Sequence, residues 1–317
     1  MRILFTGASS FTGLAFVKAL AGAGHEVVCP LTGGLDRYTG VRQQRVGVRQ
    51  QRVEQLKPLA RLPPNAPFGS EAFLTLVHEG NWDLLCHHAA EVTNYRSPQF
   101  DAFEALRKNT LNLSSVLAAL QNRGLRAVVL TGSVFENDEG VGNEPLRAFS
   151  PYGLSKGLTF QVFRYWCGQA RLPLAKFVIP NPFGPFEEER FTSYLMRAWQ
   201  AGQAATVKTP LYVRDHIPVD LLALVYAQWA ERAILAREPL LRLRPSGYVE
   251  SVGAFAGRVA AETRRRLNWP CACELGRQQE FAEPLVRVNA DPAIPAAPNW
   301  SEGAFWDSFV QYYEQIA

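Results

Sequence analysis

Met1-Arg-Ile-Leu-Phe-Thr6-Gly7-Ala-Ser9-Ser10-Phe11-Thr12-Gly13-Leu-Ala-Phe16-Val17-Lys-Ala-Leu20 opens the chain. An apolar strand runs into a Gly/Ser turn. Apolar residues then recur at Phe16, Val17 and Leu20, the spacing of one helix face. That helix is expected to end near Gly22 to Gly24, and a second strand follows, Glu26-Val-Val-Cys29. Strand, glycine turn, helix and strand in this order form a βαβ unit with the helix N-terminus aimed at a pyrophosphate. Gly7, Ser9, Ser10, Phe11, Thr12 and Gly13 are the candidate cofactor-binding turn. Ser10 stands where a middle glycine would let the backbone approach phosphate, and its hydroxyl offers a hydrogen bond instead.

Working outward, Ser150-Pro151-Tyr152-Gly153-Leu154-Ser155-Lys156 places a tyrosine and a lysine four apart, one helical turn from each other. A phenol with a pKa near ~10 is a poor base at neutral pH. A neighbouring ammonium is expected to lower that value and make Tyr152 a usable acid/base. Tyr-x-x-x-Lys pairs also arise by chance on solvated faces. This one gains weight from the nucleotide-binding start and from Val129-Leu-Thr131-Gly-Ser133, a strand end just upstream.

The first ~175 residues alternate strand and helix. Leu84 to Cys86, Val128 to Leu130 and Lys176 to Ile179 read as further buried parallel strands. Glu71 to Val77, Phe103 to Gln121 and Gly153 to Gln169 read as helices. The Pro-rich run Leu62 to Phe68 obscures a third strand. Beyond Asn181, amphipathic helices are expected near Phe191 to Ala201, Val219 to Ala236 and Glu250 to Leu267. The order predicts an α/β protein: a doubly wound parallel sheet with a smaller lobe, enclosing substrate between them.

On these residues the chain resembles the extended short-chain dehydrogenase/reductase family, the NAD-dependent epimerase/dehydratase group of nucleotide-sugar-modifying type, over nearly its whole length. The resemblance implies a Rossmann-type dinucleotide-binding domain over 1–178 and a smaller, mostly helical substrate-binding lobe over 179–317, interleaved at the sheet edge. Thr6 to Gly13 looks like the family's cofactor turn. Cys86-His87-His88-Ala89-Ala90 looks like the strand end beside the pyrophosphate, so that His88, Ala89 and Ala90 join the cofactor set. Asn109 matches an asparagine on the following helix. Registered on Val134-Phe135, the catalytic hydroxyl falls on Thr131, with Ser133 as a second hydroxyl; Tyr152 and Lys156 complete the catalytic set and also touch the cofactor. Ile179-Pro180-Asn181-Pro-Phe-Gly184 resembles the loop over the nicotinamide, with Pro180 on the cofactor and Asn181 on the substrate. Arg214, in Arg214-Asp215-His-Ile-Pro, resembles the arginine that holds a sugar-nucleotide diphosphate, and Arg287 is a second candidate. The family commonly pairs two helices per subunit, which implies a homodimer through Phe103 to Gln121 and Gly153 to Gln169. Leu106, Leu113, Val116, Leu117 and Leu120 give the first of these more apolar surface than one sheet face needs.

An NAD enzyme usually carries an acid at the end of the second strand, where it accepts from the ribose 2′-hydroxyl. Here that place reads Cys29-Pro30-Leu31-Thr32, with Arg37 beyond it. The missing acid favours NADP over NAD, with Thr32, Arg37 or the arginines of a tandem repeat on the 2′-phosphate. That repeat, Val41-Arg-Gln-Gln-Arg-Val46 and again Val48-Arg-Gln-Gln-Arg-Val53, reads more simply as a lengthened connection between the second and third strands, or a strand within it, with a solvated face. The family's 4,6-dehydratases place Asp-Glu directly after the catalytic threonine. Gly132-Ser133 stands there instead, leaving hydride transfer at a sugar carbon. A ketoreductase performs it once and a 4-epimerase twice. A non-catalytic dinucleotide-binding regulatory protein is the other class, which has no physical need of the Thr131/Tyr152/Lys156 set.

Composition is that of an ordinary soluble protein: 317 residues, 47% hydrophobic, 20% charged, net charge +4. No apolar run approaches the ~18 residues of a membrane span. The start on a core strand leaves no room for a signal peptide, so a cytoplasmic enzyme is expected. No basic-aromatic interleaving points to nucleic acid. Cys271-Ala-Cys273 lacks the partners of a zinc site, and no metal is expected.

Overall fold

The computed structural model describes residues 1–34, 41–42 and 45–316, with 41, 42, 45, 46 and 296 by backbone alone. Arg37, one of the expected cofactor residues, lies outside the described residues. Six parallel strands form the central sheet, in the order Leu240–Leu243, Leu174–Ile179, Ala127–Ser133, Leu84–His87, Arg2–Thr6, Glu26–Val28. The period of two divides each strand between the two faces. Ile3, Phe5, Leu84, Cys86, Val129 and Phe177 face one core, under helices α1 (Phe11–Gly22) and, later in the chain, Val219–Leu235. Leu4, Leu85, Val128 and Leu130 face the other core.

That second face is covered by helices that follow α2 (Val48–Leu56): α3 (Glu71–Glu79), α5 (Leu113–Gln121) and α6 (Pro151–Gln169), with α4 (Ala102–Asn109) packed on α6. The expected single helix from 103 to 121 is two. Asn112 takes the left-handed conformation at φ +50°, which asparagine tolerates better than most residues, and its amide Nδ2 donates to Gly69 O at 2.9 Å. Leu113, Val116, Leu117 and Leu120 are all buried within the protomer, whereas Leu106 is half-buried and Phe103 exposed, so the uncovered apolar surface of this segment lies on α4.

Among the described residues no full third strand of the central sheet follows Glu26–Val28. Arg61 makes a lone parallel bridge to Val28, and Leu31 N donates to Pro63 O. Pro63 and Pro64 have no N–H to continue a ladder. The repeat folds in two ways. Its first copy forms a hairpin pairing Val41–Arg42 with Arg45–Val46, and its second is the start of α2.

The remaining helices are α7 (Phe191–Gln200), α8 (Val219–Leu235), α9 (Val252–Arg266) and α10 (Glu302–Gln315), the last with no counterpart in the sequence expectations. α7, α9 and α10 enclose a separate core of Phe183, Leu195, Trp199, Phe255, Trp306 and Phe309. A second sheet joins Asn181–Phe183, Val213–Pro218, Tyr248–Ser251, Val286–Val288 and Val141–Gly142. α8 and Leu240–Leu243, although late in the chain, pack on and join the first sheet. Among the described residues no helix is long and apolar enough to cross a membrane.

Candidate active site

The chain order of the sheet reverses between Arg2–Thr6 and Leu84–His87, and ligands of such sheets bind beyond the carboxyl ends of the strands at that point. Gly7 sits there at φ +84°. A Cβ on it would lie 2.7 Å from Ala89 N, so the turn presses against the end of the Leu84–His87 strand and admits only glycine. Gly13 is held as tightly, since a Cβ would stand 2.3 Å from Gly7 O. Ala89 N donates to Thr6 Oγ1 at 3.2 Å, fixing the two strand ends to each other.

Ser10 caps α1: its hydroxyl accepts from Gly13 N at 3.1 Å and donates to Gly7 O at 2.8 Å. Among the described residues nothing accepts from the amides of Phe11 and Thr12. The glycine cradle and these helix-terminal donors are complementary to a dinucleotide pyrophosphate. Asn109, by contrast, is built into the scaffold. Its Oδ1 accepts from Glu91 N at 2.8 Å and its Nδ2 donates to Thr159 on α6. Thr32 is exposed beyond the second strand.

His88 is the residue whose importance sequence reasoning understated. Its Nε2 lies 3.0 Å from Thr12 Oγ1 and 3.1 Å from Ser10 Oγ; its Nδ1 lies 3.0 Å from Thr131 Oγ1. Burial, then the charge of Lys156, push its pKa down to about 3, so the imidazole is neutral. The ring lies against Phe5 and Phe16, on the α1 side of the sheet. The Thr131 hydroxyl is therefore tied to His88, and among the described residues no hydrogen bond joins it to Tyr152.

Tyr152 and Lys156 stand in the first two turns of α6. Ser150 caps this helix by accepting from Gly153 N, and Pro151 fits its first turn. Lys156 Nζ is buried and donates to Thr131 O at 2.6 Å. Burial lowers its pKa to about 8, against the pull of Glu136. Tyr152 packs on Tyr95 and Phe100. Its pKa is raised, by burial first and then by the Glu136 carboxylate. The lowering expected from Lys156 is thus reversed, because the phenol is buried beside a carboxylate while the ammonium bonds a carbonyl.

The place where a residue-132 side chain would stand is filled by Lys176 and Glu136: a Cβ on Gly132 would lie 2.7 Å from Lys176 Cε and 3.0 Å from Glu136 Oε1. Both oxygens of Glu136 are engaged, with Ser133 N at 2.6 Å and Lys176 Nζ at 2.5 Å, and Lys176 also pairs with the buried Glu139. Gly132 and Ser133 directly follow Thr131, and the acid nearest to them, Glu136, is committed to these two bonds. Ser133 Oγ accepts from Phe135 N, capping the strand end.

Arg214 and Arg287 are register partners on adjacent parallel strands. Arg287 is 1% exposed, and its guanidinium donates to Val134 O at 2.9 Å and to Glu136 O. It braces the segment after the Ala127–Ser133 strand and leaves almost no surface for a ligand. Arg214 pairs with the half-exposed Glu283 at 2.8 Å and donates to Val213 O, Pro284 O and Leu285 O. Pro284 and Leu285 line a crevice of about 690 Å³ with Asn143, Arg147, Phe149 and Phe281. Asn181 Nδ2 donates to Asp215 O at 3.2 Å, and Pro180 is buried just before it. Among the described residues no group of three or more His, Cys, Asp or Glu could hold a metal.

A family model, the NAD-dependent epimerase/dehydratase family, matches residues 3–233. No curated protein sequence matches the chain. Among solved structures, a UDP-glucose 4-epimerase from Stenotrophomonas maltophila, with bound NAD and formylated UDP-arabinopyranose, is similar at TM-score 0.75 and 16% identity. It covers 100% of this chain and 98% of that one. UDP-glucuronic acid 4-epimerase from Bacillus cereus, with UDP-glucuronic acid and NAD, is similar at 0.72 and 15%, covering all of both chains. UDP-glucose 4-epimerase from Thermotoga maritima, with UDP-glucose, is similar at 0.70 and 17%, covering 100% of this chain and 99% of that one.

Proposed function

The chain belongs to the NAD-dependent epimerase/dehydratase family, and on that premise we propose an NAD(P)-dependent oxidoreductase that transfers hydride at a sugar carbon of a nucleotide-diphosphate sugar, in the ketoreductase direction. One observation carries the reading: Tyr152 stands one turn from Lys156, whose buried Nζ lies 2.6 Å from Thr131 O beside the glycine turn. When bound, the nicotinamide dinucleotide supplies the hydride.

In that proposal Tyr152 is the proton carrier. Its raised pKa keeps the phenol protonated, as a donor to a ketone oxygen must be. Lys156 holds the nicotinamide ribose. Thr131 orients the same substrate oxygen. If His88 carries its hydrogen on Nδ1 and donates to Thr131, the threonine O–H is left to donate to that oxygen. Gly7 to Gly13, with His88 to Ala90, cradle the pyrophosphate. Arg214 exchanges Glu283 for the substrate diphosphate, whose oxygens match its fork of donors. Arg287 and Ser133 serve the strand end. The proposed setting is the cytoplasm and the proposed assembly a homodimer.

The named activities of the similar structures favour a second reading, a 4-epimerase that uses the same groups twice on tightly bound NAD. Incubation with nucleotide 4-keto-sugars and NADPH or NADH, and with the corresponding sugars, distinguishes the two. Stoichiometric oxidation of the reduced cofactor establishes the reductase. Interconversion of epimers without net cofactor change establishes the epimerase. Absence of both across UDP-, dTDP- and GDP-sugars would refute the enzyme and favour a dinucleotide-binding regulatory protein.

A further inference from the structure

The second copy of the repeat is an instrument of the cofactor turn. α2 docks through Val53, 1% exposed, onto Leu31 at the end of the second strand. That is where the adenosine ribose 2′-hydroxyl belongs in a βαβ site. One turn earlier on the same helix, Arg49 directs two donors at one oxygen of the turn: Nη2 lies 3.1 Å and Nε 3.3 Å from Ser9 Oγ. Arg52 is buried and locks the helix in place. Its Nη1 donates to Ser9 O at 3.3 Å and pairs with Glu188 at 2.6 Å, and its Nε donates to Phe186 O at 2.8 Å. Arg52 Nη2 is buried with no partner among the described residues. Arg190 adds a third guanidinium near the start of α1, 5.8 Å over the Phe11 ring. The solvated face expected for the repeat is therefore not what its second copy presents.

Two features of this corner favour a doubly charged group over a neutral ribose. The second-strand end, Cys29-Pro30-Leu31-Thr32, offers no carboxylate to accept from a 2′-hydroxyl. A guanidinium fork matches the paired oxygens of a phosphate monoester and gains most from a charged acceptor. We propose that Arg49 binds the 2′-phosphate of NADP, with Arg52 as the positioning residue that holds α2 against Ser9. This rests on the dinucleotide reading above and narrows it to one cofactor.

The test is the dissociation constants of NADPH and NADH, with adenosine 2′-monophosphate and adenosine 5′-monophosphate as fragment probes. They are measured on the full chain and on Arg49→Gln. Arg49 is exposed, so the variant should fold, and its melting temperature checks this. The native chain is expected to bind NADPH more tightly than NADH and the 2′-monophosphate more tightly than the 5′. Arg49→Gln should weaken NADPH by about 10- to 100-fold, the loss from removing a hydrogen bond to a charged group, and leave NADH within about twofold. Tighter NADH than NADPH in the native chain, or an equal loss of both in the variant, would overturn the assignment. Failure of both dinucleotides to bind the native chain would overturn the dinucleotide reading itself.

Discussion

Thr131 Oγ1 and His88 Nδ1 stand 3.0 Å apart, so the hydroxyl at the candidate catalytic strand end shares a hydrogen with a buried imidazole. The other nitrogen of that ring reaches Thr12 and Ser10 at the glycine turn. One neutral ring therefore couples the two strand ends that a dinucleotide would span.

That coupling carries a cost in acid. His87, His88 and His216 are each pushed down to about 3, chiefly by burial. An unfolded imidazole titrates near ~6.5. Between those values the unfolded chain binds more protons, so stability is complete above about 6.5 and falls as pH drops toward 3. Each ring contributes a slope of about 1.4 kcal/mol per pH unit. Melting temperature should decrease steadily from pH 7 to pH 4. In His88→Leu the slope should be shallower by one proton, and turnover should fall as Thr131 loses its partner. An unchanged acid slope in the variant would contradict the neutral, buried assignment.

Tyr152→Phe should reduce the chemical step by about 10²- to 10⁴-fold while sparing cofactor affinity, since an acid/base is removed and packing against Tyr95 and Phe100 is kept. Lys156→Ala should do more and weaken cofactor binding as well. The lysine, at about 8, loses its charge as pH rises through that value, so cofactor affinity should decline on the alkaline side of pH 8 in the native chain. Pre-steady-state hydride transfer and dissociation constants measured from pH 6 to 10 check both. Near-normal turnover of Tyr152→Phe would end the proposed chemistry.

What the sequence made legible is what depends on neighbours along the chain. Gly7 follows a strand and must take positive φ; Tyr152 and Lys156 share a helix turn; the strands read by their apolar runs. What stayed hidden depends on contacts between distant segments. The direction of the Thr131 hydroxyl is set by His88, on another strand. The upward shift of Tyr152 comes from burial and from Glu136, whose motif position says nothing of its pairing with Lys176. Arg52 sits in the second copy of a local sequence repeat, and it lies buried because Ser9, Phe186 and Glu188, far along the chain, converge on it. Arg287 resembles a ligand residue in one dimension and is a brace in three.

Gly7→Val should abolish dinucleotide binding. The glycine's φ of +84° disfavours any side chain, and a Cβ would stand 2.7 Å from Ala89 N, on backbone that cannot yield without moving the Leu84–His87 strand end. Because Gly7 lies at the edge of the core, the chain should still fold, with a lowered melting temperature. Calorimetric titration with NADPH and NADH checks it, and native affinity in the variant would show that the turn is not the pyrophosphate site.

Homodimerisation should run through α4 and α6, on different residues from those the sequence suggested. The leucines of α5 are spent inside the protomer. On α4 and α6, which pack side by side, Phe103 is 74% exposed and Tyr165 59%. Large rings left in water on neighbouring helices lose hydrophobic stabilisation that a second copy of the same face would recover. A twofold interface uses the same patch of both copies, so one charged substitution alters both sides of it. Phe103→Lys or Tyr165→Lys should therefore shift the chain toward monomer with little change in melting temperature when dilute. Sedimentation equilibrium at micromolar concentration should give twice the chain mass for the native protein and one chain mass for the variants. A monomeric native protein at that concentration would refute the dimer.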